Sequence, residues 1–356
     1  MTSQPDAHHA RAHLGRLPLG AAVVVAVVCG VMMATQSRIN GELGRRLGDG
    51  FTAAALSFTV GLVIVLIVVA FMPSARRGTR YAFEEVKQHR LPLWTLFAGF
   101  GGAVFVLSQG LASAIVGVSL FTVAFIGGQT LSGLLVDRAG LGPGGVRYLT
   151  LRRVLGAGIA LAVVVWSILS HIEPDIPLWM LLLPVIAGAA VAAQQAANGR
   201  VANATGSAVT STLFNFVAGS TALVIVALVH ALLVGGLPAV FPAEWWLYLG
   251  GPIGVVFIFG LATAVRTTGV LLLGLCSVAG QLSGSIVIDL VAPGTGHSVD
   301  WTTPIAAVLV VVAVLVVSLP GRRGSRKNAG DGGDAGGSTG DAGGSTGDAE
   351  KLSLRA

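Results

Sequence analysis

The chain has 356 residues, 54% of them hydrophobic and only 11% charged, with a formal net charge of +6. Soluble domains carry about 25% charged residues, so the composition argues against a soluble domain and for a chain embedded in a bilayer. The basic surplus does not point to nucleic acid, because Lys and Arg fall between apolar runs rather than on one face or among aromatic residues.

Crossing roughly 30 Å of hydrocarbon takes about 20 mostly apolar residues. Runs of that kind occur at 18–46, 50–72, 92–112, 115–137, 148–170, 177–204, 206–230, 243–266, 268–290 and 301–319, which predicts an all-α integral membrane protein of about ten spans. Residues 1–17 precede them as a short polar tail. Arg11 and Arg16 before the first run imitate a signal peptide, but the run is too long for an h-region and no clean A-x-A site follows. It reads as an uncleaved first span. Tight Gly/Ser/Thr turns separate the third span from the fourth and the eighth from the ninth, so each pair is expected to be a helical hairpin. Trp94, Trp245 and Trp246 stand at span starts as interfacial anchors. After Pro320 come Arg322, Arg323, Arg326 and Lys327, then a Gly/Asp/Ser/Thr-rich tail with DAGGSTG in tandem at 334–340 and 341–347. That composition cannot bury a core, and residues 320–356 are expected to be disordered.

The basic residues also predict orientation. With the N-terminus in the cytoplasm, 19 of the 22 Lys and Arg fall on the inner side. Only Arg38, Arg45 and Arg46 fall outside, with Glu42 and Asp49 beside them. The bias places both termini in the cytoplasm of a multi-pass plasma-membrane protein.

An internal repeat organises the spans. Residues 34–61 align without a gap on 192–219 at an offset of 158, matching Gln36 to Gln194, Asn40 to Asn198, Gly48 to Gly206, Thr52 to Thr210, Phe58 to Phe216 and Gly61 to Gly219. A second match runs at an offset of 152, joining Trp94 to Trp246, Gly117 to Gly269, Gly128–Gln129 to Gly280–Gln281 and Asp137 to Asp289. Two units follow, 18–170 and 177–319, each of five spans. An odd number of spans forces the second unit to enter the membrane upside down. Inverted repeats are a hallmark of secondary transporters, in which exchanging the conformations of the two halves alternates access.

The Q-x-x-x-N-G run at Gln36–Gly41, the S-F-x-x-G run at Ser57–Gly61 and the G-Q…D run at Gly128–Asp137 resemble the YdcZ-like branch of the drug/metabolite transporter superfamily. The second half repeats them at Gln194–Gly199, Asn215–Gly219 and Gly280–Asp289, with Asn215 where the first half has Ser57. The resemblance covers roughly residues 18–320 and implies a plasma-membrane transporter, often an exporter, without supplying a substrate.

Polar side chains inside a bilayer are costly and usually face a cavity or a partner. Eight are candidates for a substrate path: Gln36, Asn40, Ser57 and Gln281 as an outer layer, and Gln194, Asn198, Asn215 and Gln129 as an inner one, lining two mouths. The alternative is that they only bond neighbouring helices. Asp137 and Asp289, the only matched carboxylates, are candidates for ion coupling, although both lie at span ends where capping or an ion pair is the ordinary role. Arg38 has no basic counterpart, since Ala196 occupies the matched position.

Neither Cys29 nor Cys276 belongs to a CxxC or Cys/His set, and no Walker A, HExxH or G-x-S-x-G run occurs, so no metal, cofactor or enzymatic activity is expected. The expected partners are a small-molecule substrate, the lipid bilayer and, as an option, a second copy in a homodimer. A membrane enzyme would want carboxylates or histidines clustered at one interface. A non-transporting scaffold or accessory subunit would have a dry, packed interior.

Overall fold

A computed structural model describes residues 17–108, 118–171 and 182–291 and a few positions between 305 and 316, with only the backbone described at some of them, Asp289 included. The expected N-terminal tail, the turn between the third and fourth spans, the outer connection at 173–175, most of the tenth span and the C-terminal tail lie outside the described residues.

The described residues form helices only: α1 Leu19–Leu47, α2 Gly50–Phe71, α3 Pro73–Lys87, α4 Gly99–Ser108, α5 Val118–Arg138, α6 Leu151–His171, α7 Leu182–Thr205, α8 Ala208–Val234 and α9 Gly250–Val291. Four stretches are long and apolar enough to cross a membrane: α1, α2, α8 and Trp245–Gly284. Short 3-10 turns, Leu93–Phe97 and Trp245–Tyr248, lead into α4 and α9, so each of these helices begins about seven residues later than the sequence suggests.

The helices are inside-out relative to a soluble bundle. On α1 the buried face is Ala22, Ala26, Cys29, Gly30 and Met33, three or four residues apart. The opposite face carries Val24, Val28 and Val31, all exposed. Small residues inside and branched apolar residues outside are what a lipid environment selects, because lipid tails are as apolar as valine and close backbone packing drives association.

The last helix bends at Gly269, whose φ of 75° and ψ of 177° lie in a region that essentially only glycine occupies. The bend makes it a hairpin. Along α1 from Val25 to Gln36, the facing residue on the first arm runs backward from Gly260 to Gly254. From Val27 to Val31, the facing residue on the second arm runs forward from Gly280 to Gly284. The arms 250–268 and 270–291 are therefore antiparallel, as expected for the eighth and ninth spans.

Matched residues make matched contacts. A Cβ on Gly280 would fall 1.9 Å from the Val27 carbonyl oxygen; on Gly128 it would fall 2.0 Å from the Val185 carbonyl oxygen, the same pair shifted by the two offsets. Asp49 caps α2 by accepting from Phe51 N and Thr52 N, and its mate Ser207 caps α8 by accepting from Thr210 N. The glycines that precede these caps, Gly48 and Gly206, have φ of 65° and 66°.

One helix lies outside the predicted spans. The basic connection after the second span is not a plain loop but the amphipathic helix α3. Ala75, Gly78, Ala82 and Glu85 are buried, while Arg76, Arg77, Arg80 and Lys87 stay exposed. Thr210 Oγ1 on α8 donates to the Ala75 carbonyl at 3.2 Å, fixing α3 against the start of α8. Its polarity hides it from a search for apolar runs, and the shift in repeat offset falls on the same connection.

Candidate substrate cavity

Helices α1, α2, α4 and α7 and the first arm of α9 surround a cavity of about 620 Å³, its open mouth included. Met33, Gln36 and Ser37 come from α1, Phe58 from α2, and Gly102, Phe105 and Val106 from α4. Val191, Gln194, Gln195 and Asn198 come from α7, and Phe257, Ile258, Leu261 and Ala262 from α9. The wall is itself paired by the repeat: Met33 with Val191, Gln36 with Gln194, and Ser37 with Gln195 at offset 158; Phe105 with Phe257 and Val106 with Ile258 at offset 152.

Gln36 and Gln194 reach the wall because helical spacing repeats the face of Met33 and of Val191. The Gln36 side-chain nitrogen donates to the Gly250 carbonyl at 2.8 Å, tying α1 to the start of α9. On the opposite wall Gln194 lies against Gly101 and Gly102, with the side-chain nitrogen 3.3 Å from where a Gly102 Cβ would be. Gly254 stands in the same relation to Gln36, at 2.7 Å.

Gln36 and Gln194, expected in separate layers, both line this one cavity. The remaining candidates form flanking clusters. Asn40 and Ser57 flank Gly250, each within 3 Å of a Cβ placed there. Asn215 Nδ2 donates to Asn198 Oδ1 at 3.1 Å, and Ser211 Oγ donates to the Asn198 carbonyl at 2.7 Å. Of these only Asn198 is on the wall. Gln129, 2% exposed, sits against Gly274 with neither amide atom bonded, away from the cavity lining. Its mate Gln281 is half-buried and also outside the lining.

Sequence reasoning missed Gln195. It is 4% exposed, lines the cavity, and has no bond to either side-chain polar atom. Its mate is Ser37, so identity between the halves does not mark it. Of the aromatic wall, Phe58 was marked only as a repeat match, and Phe105 and Phe257 were unmarked although their spacing equals the second offset.

A family profile described as "Putative inner membrane exporter, YdcZ" matches residues 21–166 and again residues 179–316. The chain belongs to this family. The two matched segments begin 158 residues apart, the offset of the first repeat motif. None of the curated proteins matches the chain in sequence. The chain is thus a multi-pass membrane protein of a YdcZ-type transporter family.

In this YdcZ-family chain Asp137 does not face the cavity. It is 1% exposed and fully partnered at the α9 bend. Its carboxylate accepts from Val270 N at 2.9 Å and Leu271 N at 3.2 Å, capping the second arm, and pairs with the Arg153 guanidinium. Arg147 holds the other side of the bend, donating to the Thr268 and Thr267 carbonyls at 2.7 and 3.0 Å. The carboxylate meets the positive end of one arm and the guanidinium the negative end of the other. Arg138, the neighbour in sequence, instead lies 5.8 Å from the centre of the Tyr148 ring.

Two of the three arginines that depart from the expected charge bias, Arg45 and Arg46, are offset locally. Arg45 and Arg46 both pair with Glu42, and Arg46 also pairs with Glu244 and lies 5.5 Å from the centre of the Trp246 ring.

Proposed function

We propose that this chain is a secondary transporter that moves a small molecule across the plasma membrane by alternating access, in the direction of export. Ten spans form two inverted five-helix repeats, 18–170 and 177–319, with both termini in the cytoplasm. The observation that carries this reading is the cavity, which lies astride the repeat and takes matched residues from both halves. A site built that way is reached from one side when one half adopts its open form and from the other when the forms are exchanged. A scaffold has no use for a cavity with buried, unbonded amide atoms on its wall.

Gln36→Ala and Gln194→Ala test the path. Each is expected to slow protein-dependent efflux from preloaded vesicles at least tenfold while the protein still inserts. Gln36→Ala also loses the bond to Gly250, an interhelical contact of about 0.6 kcal/mol, so it alone should lower the melting temperature. Small and equal effects on efflux would leave only a packing role.

Topology is tested separately. In a chain whose two native cysteines are replaced, a cysteine introduced near Pro320 should be protected from an impermeant thiol reagent in intact cells, and one near Asp175 should react. A reactive C-terminal site would remove the inverted arrangement.

A further inference from the structure

We infer that the cavity is built for an uncharged planar molecule carrying an amide or lactam edge, a substrate class that rests on the transporter reading above. Three observations converge. First, among the described residues no lining side chain carries a charge. An ion brought into this low-dielectric space would lose its hydration with no opposite charge to replace it. Second, Gln195 is nine-tenths buried on the wall, with both Oε1 and Nε2 unbonded. Buried polar groups are almost always satisfied, so an unbonded carboxamide facing a cavity marks a missing partner. Along one edge a carboxamide offers an N–H donor beside its C=O acceptor. Its complement is a group with N–H and C=O in the same arrangement, which is the edge of a lactam or primary amide. Third, Phe58, Phe105 and Phe257, on three different helices, put aromatic rings in the lining of the same cavity. Aromatic lining suits a flat ring. The rings would also attract an organic cation, but among the described residues the lining gives a cation no carboxylate.

The test uses the purified full-length chain in lipid nanodiscs and equilibrium binding of radiolabelled probes. Uracil and nicotinamide represent the uncharged class; tetraphenylphosphonium and benzoate represent cations and anions. Saturable binding of at least one uncharged probe is expected, with no displacement by a tenfold excess of either ion. Gln195→Leu keeps the bulk of the side chain and removes both unbonded atoms. It should therefore weaken binding at least tenfold while the melting temperature stays level or rises. A falling melting temperature with unchanged binding would identify Gln195 as a packing residue and overturn the inference. Phe257→Ala, on another helix of the lining, should also weaken binding, and unchanged binding in both variants would place the ligand elsewhere and overturn the inference. Saturable binding of either ion to this cavity, or binding of neither uncharged probe, overturns the inference. The two readings fail separately. Gln195-dependent binding without flux leaves the site and removes the exporter, whereas ion flux blocked by Gln194→Ala leaves the exporter and removes the substrate class.

Discussion

Replacing Asp137 with alanine is expected to cost about 3–5 kcal/mol, the usual penalty for stripping one partner from a buried ion pair. The carboxylate is 1% exposed and serves three donors at once: Val270 N, Leu271 N and Arg153. Alanine leaves all three without an acceptor beside a bend that already holds Gly269 in a glycine-only conformation. Thermal unfolding in detergent gives the measurement. Adding Arg153→Met to Asp137→Ala should restore part of the loss, because the uncompensated guanidinium is then gone. Asp137→Asn keeps an acceptor for the arm and should be milder than alanine. The same variants decide between the structural role and ion coupling. A clamp predicts that Asp137→Asn leaves the pH profile of transport unchanged, and a profile that flattens would restore Asp137 as a coupling residue.

Gly280→Ala is expected to destabilise by about 1–3 kcal/mol, the cost of overpacking a filled interior. A Cβ there would fall 1.9 Å from the Val27 carbonyl oxygen and 2.8 Å from the Val27 carbonyl carbon, so the obstruction is backbone and cannot swing aside. Gly128→Ala meets the same obstruction at Val185, with 2.0 and 2.8 Å, and should cost a similar amount. Gly20→Ala, with nothing within 4 Å, is the control and should be neutral or slightly stabilising. A large difference between Gly128→Ala and Gly280→Ala would mean that the two junctions are not energetic equivalents.

What the sequence could convey followed from which residues the repeat preserves. Gln36 and Gln194 were visible because both halves keep an amide at one face of their first helix, and both amides reach the cavity. The hairpin at Gly269 was visible because only a tight Gly/Thr turn separates two apolar runs there. Gln195 was not visible, because the other half puts a serine in its place and its role depends on facing a space that only the folded helices enclose. The Asp137 clamp was half visible. Its carboxylate stood out as a matched acid, but Arg153 and Arg147 reach it only through the path of residues 139–150, and the neighbouring Arg138 drew attention instead. The helix α3 escaped because an amphipathic polar segment sends no signal to a search tuned to apolar runs.

The contacts between Val27 and Gly280 and between Val31 and Gly284 join the beginning of the chain to a point about 250 residues later. At roughly 5–20 residues per second of synthesis, the first helix waits on the order of ten to fifty seconds before the arm that seals its glycine-and-alanine face is made. Through that interval the nascent first half has packing of α1 on α2 and of α5 on α6, but an unmatched groove along its first helix. Assembly is consequently a late event, completed near the end of translation, and a chain interrupted shortly before Gly280 would be inserted yet lack the partner of its first helix.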